Sequence, residues 1–125
     1  MIQTTKVITV STFFLLLVGC RLYDCGNDIY QRLDNRTREY KILKFSRSCG
    51  ATTGVSTQIS VLPFAKELSN EDGGNIFVCK AYINDTSVKV KWTNDTSILI
   101  IYKKDLEIFK NDSTLNGVKV KYQIE

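Results

Sequence analysis

Ser87-Val88-Lys89-Val90-Lys91-Trp92-Thr93-Asn94-Asp95-Thr96-Ser97-Ile98-Leu99-Ile100-Ile101-Tyr102 decides the fold. Val88, Val90 and Trp92 alternate with Lys89, Lys91 and Thr93, the period-two pattern of a strand with one face buried and the other in water. Asn94-Asp95-Thr96 is a polar break whose Asx side chains bond the backbone two residues on and so favour a turn. Ile98 to Tyr102 is apolar throughout and is expected to be a central strand covered on both faces. The alternation returns at Val118, Val120 and Tyr122 against Lys119, Lys121 and Gln123.

Working outward, short apolar or alternating segments continue from Asp28 to the end of the chain, and none sustains a helical period. Strands are predicted near Asp28 to Arg32, Tyr40 to Arg47, Ser56 to Pro63, Asn75 to Ala81, Ser87 to Thr93, Ser97 to Lys103, Glu107 to Lys110 and Gly117 to Ile124. The corners are Asp34-Asn35-Arg36-Thr37, Asn84-Asp85-Thr86, Asn94-Asp95-Thr96 and Asn111-Asp112-Ser113. Asn35, Asn84, Asn94 and Asn111 each open an Asn-x-Ser/Thr sequon, a glycan acceptor in a eukaryotic secreted chain and a turn residue in a bacterial one. Phe64 to Gly74 is the longest connection and the expected mobile segment, with one helical turn at Ala65-Lys66-Glu67-Leu68 before Gly73-Gly74. The predicted core is Val88, Val90, Trp92, Ile98, Ile100, Tyr102, Val118 and Val120. These features point to an all-β fold, a small antiparallel two-sheet sandwich or a pair of blade-like meander sheets.

The 125 residues, 43% hydrophobic and 24% charged, suit one globular domain. There is no His, so this chain alone cannot build an imidazole base, a Ser/His/Asp triad or a His-ligated metal site. No carboxylates stand at a spacing that suits glycosidase chemistry, and calcium-loop spacing is absent. The expectation is a protein that is not an enzyme, with no catalytic residue, metal or cofactor. A net charge of +4 is too mild for the dense basic stripe of a nucleic-acid binder. The most basic stretch sets Arg32, Arg36, Arg38, Lys41, Lys44 and Arg47 against Asp34 and Glu39, and reads as the solvated face of a hairpin. Lys89, Lys91, Lys119 and Lys121 read as guards against edge-to-edge association.

The N-terminus reads as an address. After Met1 to Lys6 an apolar run extends from Val7 to Gly19, short of the roughly 20 residues a spanning helix needs and matching the core of a signal peptide. Leu17-Val18-Gly19-Cys20 resembles the bacterial lipobox, which implies a diacylglyceryl-modified Cys20 and cleavage before it. The organisation expected is a signal peptide over 1–19, a lipidated linker over 20–27 and a single β domain over 28–125. The membrane, reached through the Cys20 anchor, is one partner, and a protein partner of unknown kind is possible. The location is the cell envelope, facing an extracytoplasmic compartment.

Cys25, Cys49 and Cys79 complete the cysteines, and an exported compartment favours one disulfide with one thiol left over. Three pairings exist. Cys25 with Cys49 is preferred because it ties the linker to the end of the second strand. In Cys49-Gly50-Ala51-Thr52-Thr53-Gly54 two glycines bracket small and hydroxyl residues, so a compact loop is expected. Gly50, Ala51, Thr52, Thr53 and Gly54 form the candidate interaction loop, either an anion-holding nest or a plain strand-ending turn pinned by a disulfide. The turn is the favoured reading.

Several segments together resemble a family of small bacterial exported lipoproteins built on a domain of unknown function. They are Cys25-Gly26-Asn27-Asp28, the Tyr40 to Arg47 strand running into Cys49-Gly50-Ala51-Thr52-Thr53, Ser56 to Leu62, Gly74-Asn75-Ile76-Phe77 and Ile98 to Tyr102. The resemblance covers roughly Cys25 to Tyr122 and further favours the Cys25–Cys49 pairing, but it implies no reaction or ligand. Cys79 lies outside the pattern, and Arg47-Ser48 stands where Arg-Asp is expected. The function expected is a lipid-anchored exported protein acting as a non-catalytic binding or structural envelope module. The alternatives are an inhibitor or immunity-type lipoprotein that binds a foreign enzyme or toxin, and a thiol-based enzyme using Cys49 or Cys79.

Overall fold

A computed structural model describes residues 25–50, 54–81 and 87–125. They form nine strands and two sheets: β1 Gly26–Asp34, β2 Tyr40–Ser48, β3 Val55–Pro63, β4 Phe77–Lys80, β5 Val88–Asn94, β6 Ser97–Tyr102, β7 Ile108–Asn111, β8 Thr114–Leu115 and β9 Val118–Ile124. The larger sheet, sheet A, has the order β1-β2-β3-β4-β7, and the smaller, sheet B, the order β5-β6-β9-β8. The all-β sandwich expected from the alternation is the fold of the chain.

The register shows why the sandwich closes. Leu33, Ile42 and Val61 stand opposite one another across β1, β2 and β3, and Ile59 opposes Phe77. Their inward side chains meet Val88 and Val90 of β5, Ile98 and Ile100 of β6 and Val118 and Val120 of β9 in one buried cluster. Of the predicted core, those six are fully buried, while Trp92 and Tyr102 are half-buried at its margin. Trp92 Nε1 donates to the Leu33 carbonyl at 2.9 Å and joins the sheets at the far end from the cysteines. Phe77, Tyr102 and Tyr122 pack as an aromatic trio with centroids 6.1 to 6.4 Å apart.

The turn chemistry is as the sequence implies. Asn35 is buried, accepts from the Glu39 and Tyr40 amides through Oδ1 and donates from Nδ2 to the Asp95 carbonyl. Asn94 Oδ1 accepts from the Thr96 amide at 2.9 Å. These side chains act as turn-builders, and the Asn35 amide is already engaged.

Four features depart from the expected arrangement. First, meander order holds over β1 to β4 and again over β5 and β6, but is then broken, since β7 joins β4 and β9 pairs with β6 in parallel. After β6 the chain crosses to sheet A to add β7 beside β4, and so re-enters sheet B at the end where β6 begins. Second, β6 is central but only one of its faces is covered. Leu99 and Ile101 are half-buried, with Leu99 standing between Lys91 and Lys121, where lysine stems can shelter apolar surface.

Third, the basic stretch over 32–47 is not simply a solvated face. Lys41 and Lys44 are buried, and the Lys44 ammonium lies between the sheets, donating to the Val88 carbonyl and sitting 5.4 Å from the Tyr30 ring centroid. Fourth, Phe64 to Gly74 is neither helical nor loose. It opens with a turn in which Lys66 N donates to Pro63 O, and it folds as a strap over the outer face of sheet A. There Leu68 packs on Leu43, Phe45 and Leu62.

Candidate functional site

The distinctive chemistry gathers at one end of sheet A. β1 begins at Gly26 and β2 ends at Ser48, paired with each other, so the next residues, Cys25 and Cys49, lie side by side and form a disulfide. The strand thus starts two residues before the expected domain boundary at Asp28, and Asn27 is part of the sheet. Gly50 and Gly54 have φ of 122° and 68°, left-handed conformations that side chains disfavour. Ala51, Thr52, Thr53 and Cys20 lie outside the described residues.

Two residues inward from the disulfide, Asn27 and Arg47 oppose each other on the outer face. Arg47 Nη1 reaches Asn27 Oδ1 at 2.8 Å and the Asn70 and Asp72 carbonyls at 2.9 Å each. Asn27 Nδ2 donates to the Ser69 and Asp72 carbonyls, and its amide donates to Asn70 Oδ1. A guanidinium carries several donors in a fixed plane, so one side chain can satisfy several strap carbonyls. Further along, Gly74 N donates to Gln58 Oε1, while Asn75 exchanges two 2.8 Å bonds with the Val61 backbone as an extra strand residue would. The strap is therefore tied down along much of its length.

Between the disulfide and β7 an open groove of about 610 Å3 is lined by Arg47, Cys49, Val55, Gln58, Lys80 and Phe109, among others. Phe109 is 61% exposed and Val55 48%. Phe109 is placed there by a β-bulge: Cys79 pairs with Ile108 and Val78 with Lys110, leaving Phe109 as the extra residue on β7. An extra residue of this kind bends the strand and re-aims its side chain. The opposite edge of sheet A carries a matching irregularity, where Ile29 pairs with Phe45 and Gln31 with Lys44, leaving Tyr30 as the extra residue on β1.

Cys79 is a free thiol, 1% exposed, on the inner face beside Thr57. Burial pushes it up to about 11, against the opposing pull of Lys44 and of the Thr57 backbone hydrogen bond. That holds it protonated near neutrality, the reverse of what a nucleophilic cysteine needs. Among the described residues no three His, Cys, Asp or Glu side chains gather as a metal site would require.

The preferred cysteine pairing and the glycine conformations of the CGATT segment were legible in the sequence. The groove was not, because its floor and walls come from β2, β3, β4 and β7. One signal was available: in Glu107-Ile108-Phe109-Lys110 two adjacent apolar residues occupy a short strand, and alternation lets only one point inward. Compared with protein-family models, with curated proteins and with solved structures, the chain matches none.

Proposed function

We infer that the protein is a lipid-anchored extracytoplasmic module that works by non-catalytic contact through the disulfide end of sheet A. The observation that carries this reading is the groove itself. It is braced by a covalent bond and by the Arg47 clamp, and it presents Val55 and Phe109 to solvent. Exposed apolar side chains on a braced surface are a feature of interaction sites. The lipobox-like Leu17-Val18-Gly19-Cys20 and the resemblance carried by the CGATT segment support the anchor, and the disulfide is in keeping with an oxidising compartment.

Two measurements test the reading. Intact mass of the membrane-extracted protein, denatured and alkylated with and without reduction, is expected to show acyl mass at Cys20 with one alkylatable thiol before reduction. An unacylated, membrane-free protein overturns the anchor. For the contact surface, a photo-crosslinking benzoylphenylalanine is placed at Phe109 or, as a control, at Lys119 on sheet B. Adducts confined to the Phe109 position are expected, and equal labelling at both positions, or none at either, overturns the assignment.

A further inference from the structure

We propose that the partner of this surface is the lipid bilayer itself: the disulfide end of the sandwich docks on the headgroup region, with Phe109 and Val55 entering it. The proposal deepens the reading above and rests on the Cys20 anchor. Its first support is the shortness of the tether. From Cys20 to Cys25 the chain spans at most about 17 Å even when fully extended, whereas β2 alone, nine residues long, runs roughly 30 Å along sheet A. The disulfide pins the domain at Cys25. An anchor at Cys20 therefore keeps the cysteine end at the membrane surface.

The second support is the distribution of exposed apolar groups. Among the described residues, the large hydrophobic side chains that stand exposed are Ile29, Tyr30, Val55, Phe109 and Ile124. Ile29, Val55 and Phe109 fall in the cysteine half of sheet A. Val55 opposes Ser48, Ile29 opposes Phe45, and Phe109 is the bulge beside the Cys79 pairing. Ile124 pairs with Tyr102, which pairs with Val88, whose carbonyl takes the ammonium of Lys44 at the middle of β2, so it lies nearer mid-sandwich. The β7 edge of sheet A thus uses a bulge to present an aromatic residue on the half nearest the anchor, whereas Tyr30 at the β1 bulge turns over the inner face, its hydroxyl 3.5 Å from Thr57 Oγ1 and its ring beside the Lys44 ammonium.

Lys80 is exposed at the same end, opposite Ser56 and bonded through its amide to the Glu107 carbonyl, and exposed Lys103, Lys104 and Asp105 precede Glu107 in the connection to β7. Aromatic rings interleaved with lysines suit a bilayer interface, where ring and aliphatic stem sit at the acyl boundary and the ammonium among headgroups. A lipid anchor at a single residue restrains position but not orientation, and such side chains supply the orientation.

Trp92 provides an internal reference, because it lies at the opposite end beside Asn35 and Asp95. The acylated mature protein and its Phe109→Trp variant are placed in vesicles of phosphatidylethanolamine and phosphatidylglycerol, with or without bromine on the acyl chains. Trp92 emission in the parent is expected to be unchanged by bromine, and the emission added by Phe109→Trp to fall by about half. Val55→Trp is expected to behave likewise, and serves should Phe109→Trp unfold by circular dichroism. Vesicle-bound, acylated protein whose added tryptophan is not quenched overturns the docking while leaving the anchor intact, and frees this surface for a macromolecular partner. Quenching of Trp92 equal to that at position 109 overturns the orientation. Absence of acyl mass and of co-flotation with vesicles overturns the anchor and the docking together.

Discussion

Arg47 and Asn27 face each other across β2 and β1, 2.8 Å apart, each two residues from its own half of the Cys25–Cys49 disulfide. The pair links the covalent bond at the tip to the strap on the outer face, since both side chains continue to the carbonyls of residues 69–72.

Arg47→Ala removes the charged donor from three acceptors at once. A hydrogen bond involving a charged group contributes about 1.5 to 3 kcal/mol, and bonds sharing one side chain do not add fully. A loss of roughly 2 to 3 kcal/mol is expected in urea unfolding, with faster amide exchange over residues 69–74. Arg47→Lys should recover less than half of it, because an ammonium lacks the planar fork. A variant as stable as the parent would show that the strap holds without its clamp.

Cys49→Ser opens a loop closed between residues 24 apart in sequence, and a loop of that size is worth about 3.5 kcal/mol in the chain-entropy model. The variant should also leave the Cys25 thiol open to alkylation in the native protein. If Cys25 of the parent reacts equally without reduction, the bond is not formed in solution.

Cys79 makes stability pH-dependent. Burial raises its folded value from 9.0 to about 11, so between those values the unfolded chain has lost the proton that the folded one keeps. Stability is full below about pH 9 and declines as pH rises through this window. Tyr122 is raised as well from 10.0, by burial first and then by Asp112 and Tyr102, and adds a decline that begins near pH 10, overlaps the upper part of this window and continues beyond it. Cys79→Val should flatten the curve between pH 9 and 10 and make it shallower between 10 and 11, where the Tyr122 part remains. Superimposable slopes for variant and parent in urea titrations would remove Cys79 from the account.

Gly74→Ala puts a Cβ 2.7 Å from the Phe77 carbonyl oxygen, 2.9 Å from Gln58 Cβ and 3.1 Å from the Ile59 carbonyl oxygen. Backbone atoms cannot give way cheaply, and a cost of about 2 to 4 kcal/mol is expected. Gly54→Ala meets no atom within 4 Å but has φ of +68°, so roughly 1 kcal/mol of backbone strain should follow. Gly26→Ala meets neither obstacle and is the neutral control. Thermal unfolding of the three variants should rank them in that order, and a neutral Gly74→Ala would place the strap differently.

The sequence by itself determined whatever is local or periodic. Val88-Lys89-Val90-Lys91-Trp92 and Val118-Lys119-Val120-Lys121-Tyr122 declare strands with one wet face, and the structure gives both the same burial pattern. Asn35 and Asn94 declare turns because their side chains reach backbone amides a few residues on.

Tertiary structure alone decided what depends on distant partners. Lys44 sits in a basic stretch, yet its register opposite Ile59 aims it between the sheets, toward Val88. The direction of β9 followed from the detour of the chain through β7, which no pattern within β9 encodes. Phe109 became a surface group because one residue too many was threaded between the Ile108–Cys79 and Lys110–Val78 pairs. Periodicity tells which residues share a face of a strand, whereas the packing of the sheets against each other and the register between strands determine which face is covered and which side chain is left in water.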